Sequence, residues 1–235
     1  QIDHDFGVKA ARLADAYINM GAFPSFTCAP YLLEEIPVRN EKIGWSESNA
    51  VIYANSVIGA RTQKHPDYLD LFIALTGRAP NTGVYLDENR VPVCEIQVSL
   101  PLSFDDSFWP MLGLLAGLKS PYGIPILTGL EGIEPNRDNL KALCAAFGTT
   151  SAAPMVHLHG HTPESELKLP NSLKRIVVTL NDFKKLWQHY NVAENRIDLV
   201  AIGSPHASLF ECQQFAAFID GKKCIAGTRT IITVG

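Results

Sequence analysis

Residues 45–62 read Trp45-Ser46-Glu47-Ser48-Asn49-Ala50-Val51-Ile52-Tyr53-Ala54-Asn55-Ser56-Val57-Ile58-Gly59-Ala60-Arg61-Thr62. An apolar helical stripe runs through this stretch, interleaved with Glu, Ser, Asn and Arg. Polar side chains at that density cost free energy beside a core unless they meet each other or a ligand. Positions 48, 52, 55 and 59 share one helical face, and 47, 51, 54 and 58 the neighbouring one. Ser48 and Asn55, two turns apart, are therefore expected to approach one ligand together. Asn55 and Ser56 have low mid-helix propensity, so a helix with polar ends explains them poorly. Arg61, where the helix ends, suits a bidentate clamp on a carboxylate or phosphate. A terminal cation favoured by the macrodipole is the alternative. Just upstream, Thr27-Cys28-Ala29-Pro30-Tyr31 sets a cysteine in a Pro-flanked loop. Together the two stretches predict a polar small-molecule site with a thiol at its edge.

Around this stretch the first half of the chain reads as mainly helical. Phe6–Met20 carries Ala10, Leu13, Ala14, Tyr17 and Ile18 at helical spacing before Gly21. Ser46 is the expected N-cap of the motif helix and Gly59 its stop. Pro66 suits a first turn leading into Asp67–Thr76, with Gly77 after it. Asp105 or Asp106 can cap Ser107–Leu118, and Arg90–Leu100 alternates weakly enough to be a strand. After about Gly123, strands are expected at 124–127, 155–159, 176–179, 197–202 and 230–235. Helices are expected at 136–147, stopped by Gly148, at 181–190 and at 207–220. Thr179 and Asp182 are spaced as a capping box. Alternating strands and helices imply an α/β fold with a mostly parallel sheet, covered on both faces. The organisation expected is a mainly helical region 1–119 and an α/β subdomain 120–235.

Composition narrows the function classes. With 235 residues, 46% hydrophobic and 19% charged, the chain reads as folded and soluble. A formal net charge of −4 gives no electrostatic reason to expect nucleic acid or an anionic membrane. No apolar run reaches the roughly 18 residues that span a bilayer. Five cysteines, at 28, 94, 144, 212 and 224, are odd in number and widely spaced. That pattern points away from a disulfide framework and toward a reducing, cytoplasmic setting. Strands followed by helices carry no GxGxxG or P-loop, so a nucleotide has no phosphate cradle. His157, His159 and His161 could share one face of a strand and bind a metal. The alternative is a strand end whose histidines meet solvent, since no cysteine or carboxylate stands close by.

Four stretches carry a resemblance. Thr27–Tyr31, the 45–62 motif, Leu75-Thr76-Gly77-Arg78-Ala79-Pro80 and Ala201-Ile202-Gly203-Ser204-Pro205-His206 resemble the catalytic region of the aconitase X family. The resemblance runs in register to about Gly221 and implies an aconitase-like fold. It implies a hydro-lyase that removes water from a small hydroxy acid, with an iron–sulfur cluster as Lewis acid. The substrates it suggests are cis-3-hydroxy-L-proline, preferred here, or mevalonate 5-phosphate. It turns Cys28, otherwise a small buried hydrophobe, into an expected cluster ligand, because such clusters require thiolates. The polar stretch and the resemblance together make Ser48, Asn55 and Arg61 candidate catalytic residues. Glu47, Asn49, Ser56, Thr62, Ser204 and His206 become candidate substrate contacts, with an N-cap as the alternative for Ser204. The other four cysteines match no family motif and are expected to be structural. The resemblance also implies a small swivelling domain or subunit carrying a serine base, which has no counterpart here. Nor has the family's Asp-Thr-Cys motif. The chain begins without Met and family members are longer, so a segment of a longer polypeptide, inactive by itself, is expected. A reading from another class is a non-catalytic module that binds a small acid without a cluster.

Overall fold

The computed structural model describes residues 3–166, 169, 172–192 and 197–234. The polar stretch is a short helix, α2 (Ser48–Tyr53), that widens into a π turn over Ala54–Ile58 and stops at Gly59, whose φ is +77°. Before it comes α1 (His4–Asn19) and after it α3 (Asp67–Thr76), ended by Gly77 in the left-handed region. The N-cap of α2 is Glu47, not Ser46: the Glu47 carboxylate accepts from the Ala50 amide. Ser46 lies instead beside Asp70, whose carboxyl is pushed up by burial against the opposing pull of the Ser46 hydroxyl and amide. Pro66 precedes the first turn of α3 rather than lying in it. The apolar stripe of α1 is not buried: Leu13 is 58% exposed, and the helix contributes nothing to the core.

The second half is the α/β layer. The strands β1 (Cys94–Val98), β2 (Pro125–Thr128), β3 (His157–Leu158) and β4 (Lys174–Val178) form one sheet in the order β3-β2-β1-β4. Every pairing in it is parallel, and the sheet crosses position 119/120, since β1 pairs with β2 and β4. The helices α4 (Phe108–Lys119), α5 (Arg137–Thr150) and α6 (Leu180–Tyr190) connect it. α4 packs on both α5 and α6, so the three lie on one face, where Ile96, Val98 and Leu127 are buried. The opposite face carries Glu95, Gln97, Arg175 and Val177, the last three exposed, and, across β2 and β3, Ile126 and His157, both buried. The expected cover on the second face is thus partial among the described residues, present over β2 and β3 and missing toward β1 and β4, and the weak alternation of residues 90–100 is its mark in the sequence. α6 begins with the capping box of Thr179 and Asp182.

Helix α5 runs through Gly148 to Thr150, past the expected stop. Gly148 serves packing: a Cβ there would lie 2.9 Å from Ile52 of α2. Asp105 does not cap α4 directly, but its carboxylate accepts from the Ser107 amide at 2.9 Å just ahead of the helix. A second, two-stranded parallel sheet joins β5 (Leu199–Ala207) and β6 (Arg229–Val234), with α7 (Leu209–Ile219) between them. Gly203–His206 lie inside β5, where the register shifts between Ile202 and Ala207. They are not a loop before a helix; Ser208, not Ser204, caps α7, in a capping box with Glu211. The expected terminal strand includes Gly235, which lies outside the described residues.

A backbone-to-backbone helix contact fixes the core. A Cβ built on Gly113 of α4 would lie 2.2 Å from the Leu143 carbonyl oxygen of α5. Backbone cannot yield as a side-chain tip does, so Gly113→Ala should destabilise the protein by about 2–3 kcal/mol, at the upper end of overpacking costs. Urea unfolding measures it. A midpoint equal to wild type would mean that α4 and α5 are not packed backbone to backbone.

Candidate functional site

Three residues tie the cysteine loop to the start of α2. Thr27 Oγ1 accepts from the Ala29 amide at 3.0 Å, and Pro30 opens a single 3₁₀ turn. That turn drives Tyr31 into the core, fully buried and stacked on Tyr53 with ring centroids 4.0 Å apart. Tyr31 Oη donates to Asn49 Oδ1 at 2.6 Å, and Asn49 Nδ2 donates to the Cys28 carbonyl at 3.0 Å and to the Glu47 carboxylate. A neutral amide is suited to this, since it offers an acceptor and two donors at once. Arg137, at the start of α5, adds a bond from Nη2 to the Tyr31 carbonyl at 3.1 Å. Burial raises the Tyr31 hydroxyl far above its ordinary range, so it stays a donor.

The loop opens on a cavity of about 720 Å³ lined by Cys28, Glu47, Ser48, Asn49, Lys141, Gly203, Ser204, Pro205 and Glu211. Apolar residues of α5 and α7, Ala145 and Phe215 among them, complete its wall. Half-buried Cys28 presents its sulfur to the main chain of β5: the His206 amide donates to Sγ at 3.2 Å. The structure therefore brings together Cys28, Glu47, Ser48, Asn49 and Ser204, with His206 beside them through its amide.

The remaining candidates face the other way. Asn55 is 1% exposed; its Nδ2 bonds the carbonyls of Thr62 and Pro154, and its Oδ1 accepts from the Thr62 amide and Arg90. Ser56 Oγ accepts from the Val156 amide at 2.9 Å, and Thr62 Oγ1 bonds the Trp45 backbone in both directions. The expected shared approach of Ser48 and Asn55 to one ligand does not occur, because the π turn rotates Asn55 inward as a strut between segments. Arg61 is buried and saturated by the protein. Nε and Nη2 meet Asp87, Nη1 meets Glu164 at 2.6 Å, and Asn40 and the Gly59 carbonyl take further donors. Glu164 in turn accepts from Arg90 Nε at 2.6 Å. This Arg61–Glu164–Arg90 group borders a separate cavity of about 360 Å³ that does not include Cys28.

The histidine triplet does not form a metal face. Only His157 is in the strand, and it is buried, with Nε2 2.6 Å from the Arg90 carbonyl and its charged form disfavoured by burial. His159 meets Glu131 and His161 meets the Leu130 carbonyl. Among the described residues no group of three His, Cys, Asp or Glu could hold a metal. Cys94 and Cys144 are buried, Cys212 is half-buried and Cys224 is exposed, so burial does not account for all four. Sequence reading missed Lys141, Glu211, Arg90 and Glu164. For Lys141 a signal existed: it sits among Leu140, Leu143 and Cys144, on the apolar part of its helix, and is 2% exposed.

A parallel α/β layer with a thiol-edged cavity beside its helices is the class this architecture defines. Comparison with known proteins makes it specific. The sequence model of the aconitase X first domain matches residues 1–88, and that of the aconitase X second domain matches residues 90–188. The chain belongs to the aconitase X family. It is 44% identical to a cis-3-hydroxy-L-proline dehydratase of Hypocrea jecorina, over 92% of this chain and 38% of that protein. It is 45% identical to one of Pseudomonas aeruginosa, over 97% and 40%. A phosphomevalonate dehydratase large subunit of Methanocaldococcus jannaschii is 34% identical, over 94% and 57%. The crystal structure of Thermococcus kodakaraensis aconitase X in its holo-form superposes with a TM-score of 0.90 at 31% identity, covering 100% of this chain and 60% of that one. The chain therefore spans about two fifths of the two hydroxyproline dehydratases.

The geometry makes Arg61 structural. Arg61→Met should lower stability by about 3 kcal/mol, since it removes a buried, fully bonded guanidinium and leaves half-buried Glu164 on one remaining partner. Guanidinium chloride unfolding checks this. If the midpoint does not move, the Arg61 network carries no fold energy and Arg61 is again a candidate substrate clamp.

Proposed function

We propose that this chain supplies the cysteine-bearing part of an iron–sulfur hydro-lyase that dehydrates a small hydroxy acid, with cis-3-hydroxy-L-proline as substrate. The observation that carries the reading is Cys28, held at the cavity by Asn49 and met by a main-chain N–H at its sulfur. The two relatives at 44–45% identity, both named for that substrate, support the choice. The donor chemistry fits a cluster in part. A thiolate that accepts an amide hydrogen bond is the ligand such clusters take. Cys28 would be one ligand, and the described residues offer no others grouped with it. The remaining ligands would then come from chain beyond these residues. When bound, the cluster supplies a Lewis acid that weakens the bond to the departing hydroxyl.

This chain's own residues bind and orient. Ser48 and Ser204 are exposed to the cavity and can hydrogen-bond the substrate's oxygens. Glu47, pinned by the α2 N-terminus and Asn49, sets a fixed negative charge at the wall, suited to a substrate's ammonium. The apolar side formed by α5 and α7 excludes water from the ring. The proton on the carbon next to the carboxylate would leave to a base outside this chain, in a small swivelling domain or subunit. The relatives named as large subunits are consistent with that partner. No helix is long and apolar enough to cross a membrane among the described residues, and the proposed setting is the cytoplasm.

The test is the intact gene product purified without oxygen. It should carry iron and sulfide and convert cis-3-hydroxy-L-proline to a cyclic imino acid with loss of one water. Cys28→Ser should lose iron and turnover while keeping the wild-type melting curve. Turnover of mevalonate 5-phosphate instead would move the substrate assignment. A colourless protein that binds hydroxy acids without converting them would establish the non-catalytic module.

A further inference from the structure

We infer that Lys141 is a positioning residue that holds the His206 amide against the Cys28 sulfur; the link to catalysis rests on the cluster-ligand reading of Cys28. Lys141 lies at the cavity wall on α5, 2% exposed. A buried ammonium facing a substrate cavity suggests an anion clamp, but three protein groups already engage it. Nζ lies 3.3 Å from Asp138 Oδ1, bonds the Glu211 carboxylate, and donates to the His206 carbonyl at 3.2 Å. Two of its three N–H groups are spent on Glu211 and His206, and the Asp138 carboxylate balances its charge at ion-pair distance. An anionic substrate would have to compete with the two carboxylates already beside it.

The partners of Lys141 form one device at the end of β5. Glu211 also accepts from the Ser208 amide at 2.7 Å, and Ser208 Oγ donates to Asp138 Oδ2 at 2.9 Å. Ser208 Oγ accepts in turn from the Glu211 amide at 3.1 Å. Residues 206–211 are thereby fastened to α5 at both carboxylates and at the His206 carbonyl. His206 is the residue whose carbonyl meets Lys141 and whose amide meets Cys28 Sγ at 3.2 Å. Two planar peptide units flank its Cα, so fixing one restrains the direction of the other. The relay thus runs from α5 through β5 to the Cys28 thiol at the same cavity. Amide donors to cluster sulfurs are among the levers that set cluster properties. Lys141 would act on the site through that amide without touching substrate.

The test reads the amide itself and needs neither substrate nor cluster. The intact gene product, stripped of metal and labelled with ¹⁵N-histidine, gives one amide resonance per histidine. The His206 resonance is identified by its loss in His206→Gln. In wild type this amide should exchange slowly. Cys28→Ala removes the acceptor, and Lys141→Met removes the anchor. Each should speed His206 exchange by about tenfold or more, as expected when one buried hydrogen bond is lost. The other histidine amides should stay within about twofold, because their contacts lie outside the relay. Glu211→Gln keeps an acceptor for Ser208 but removes the charge that seats Lys141. It should speed His206 selectively and serves if Lys141→Met does not fold. Unchanged His206 exchange in Lys141→Met, or in Glu211→Gln where Lys141→Met does not fold, overturns the inference. So does equal acceleration of every histidine amide, which would make Lys141 a general stabiliser. Because no iron is present, failure of the hydro-lyase reading leaves these outcomes intact, and the reverse also holds.

Discussion

The site depends on one buried amide. Asn49 joins three things: the Tyr31 hydroxyl in the core, the Cys28 carbonyl in the loop and the Glu47 carboxylate at the helix start. Each partner would be costly to leave alone, because an unpaired buried polar group forfeits its hydration with nothing in return. The loop's own contribution is local stiffness, from Thr27 and Pro30. Its position in space comes from the stacked pair Tyr31 and Tyr53, which fastens it to α2. Cys28 is held at the cavity because Ala29 and Tyr31, just after it, are committed to the core.

The same helix serves two purposes at its two ends. Its N-terminal turn, Glu47–Asn49, faces the cavity. Its π turn aims Asn55 and Ser56 inward, and the chain after it delivers Arg61 to Glu164 and Arg90. The ionic group joins residues matched by the first-domain model with residues matched by the second. Its likeness to a substrate clamp is chemical only: a guanidinium seeks carboxylates whether they belong to a ligand or to the protein. Here two protein carboxylates are within reach, and both are taken. Position decides the role where residue type cannot.

Much of the architecture was legible from punctuation. Gly59, Gly77 and the Thr179/Asp182 box mark real helix ends, because each carries a local backbone requirement that sequence displays. The parallel sheet followed from the alternation of strands and helices. The errors share a cause. Ser46 and Gly148 carry cap and stop signals, but each is taken up by a tertiary contact, Asp70 for one and Ile52 for the other. Of the candidate site, the residues adjacent in sequence to Cys28 or to the helix start were found together. Asn55, Ser56, Thr62 and Arg61 were placed with them because a regular helix was assumed. A π turn adds a residue and rotates everything after it. Lys141 carried a signal in its apolar surroundings, but its role was invisible since its partners His206 and Glu211 lie 65 and 70 residues away in sequence.

The central physical claim is that Tyr31 and Asn49 act as one unit in holding the Cys28 loop. A double-mutant cycle with Tyr31→Phe and Asn49→Ala, read by urea unfolding, measures it directly. Residues in one buried hydrogen-bond network couple by roughly 0.5–3 kcal/mol, and a coupling in that range is the predicted result. If the two losses add to within about 0.3 kcal/mol, as they do for independent sites, the amide bridge does not hold the loop and the account fails.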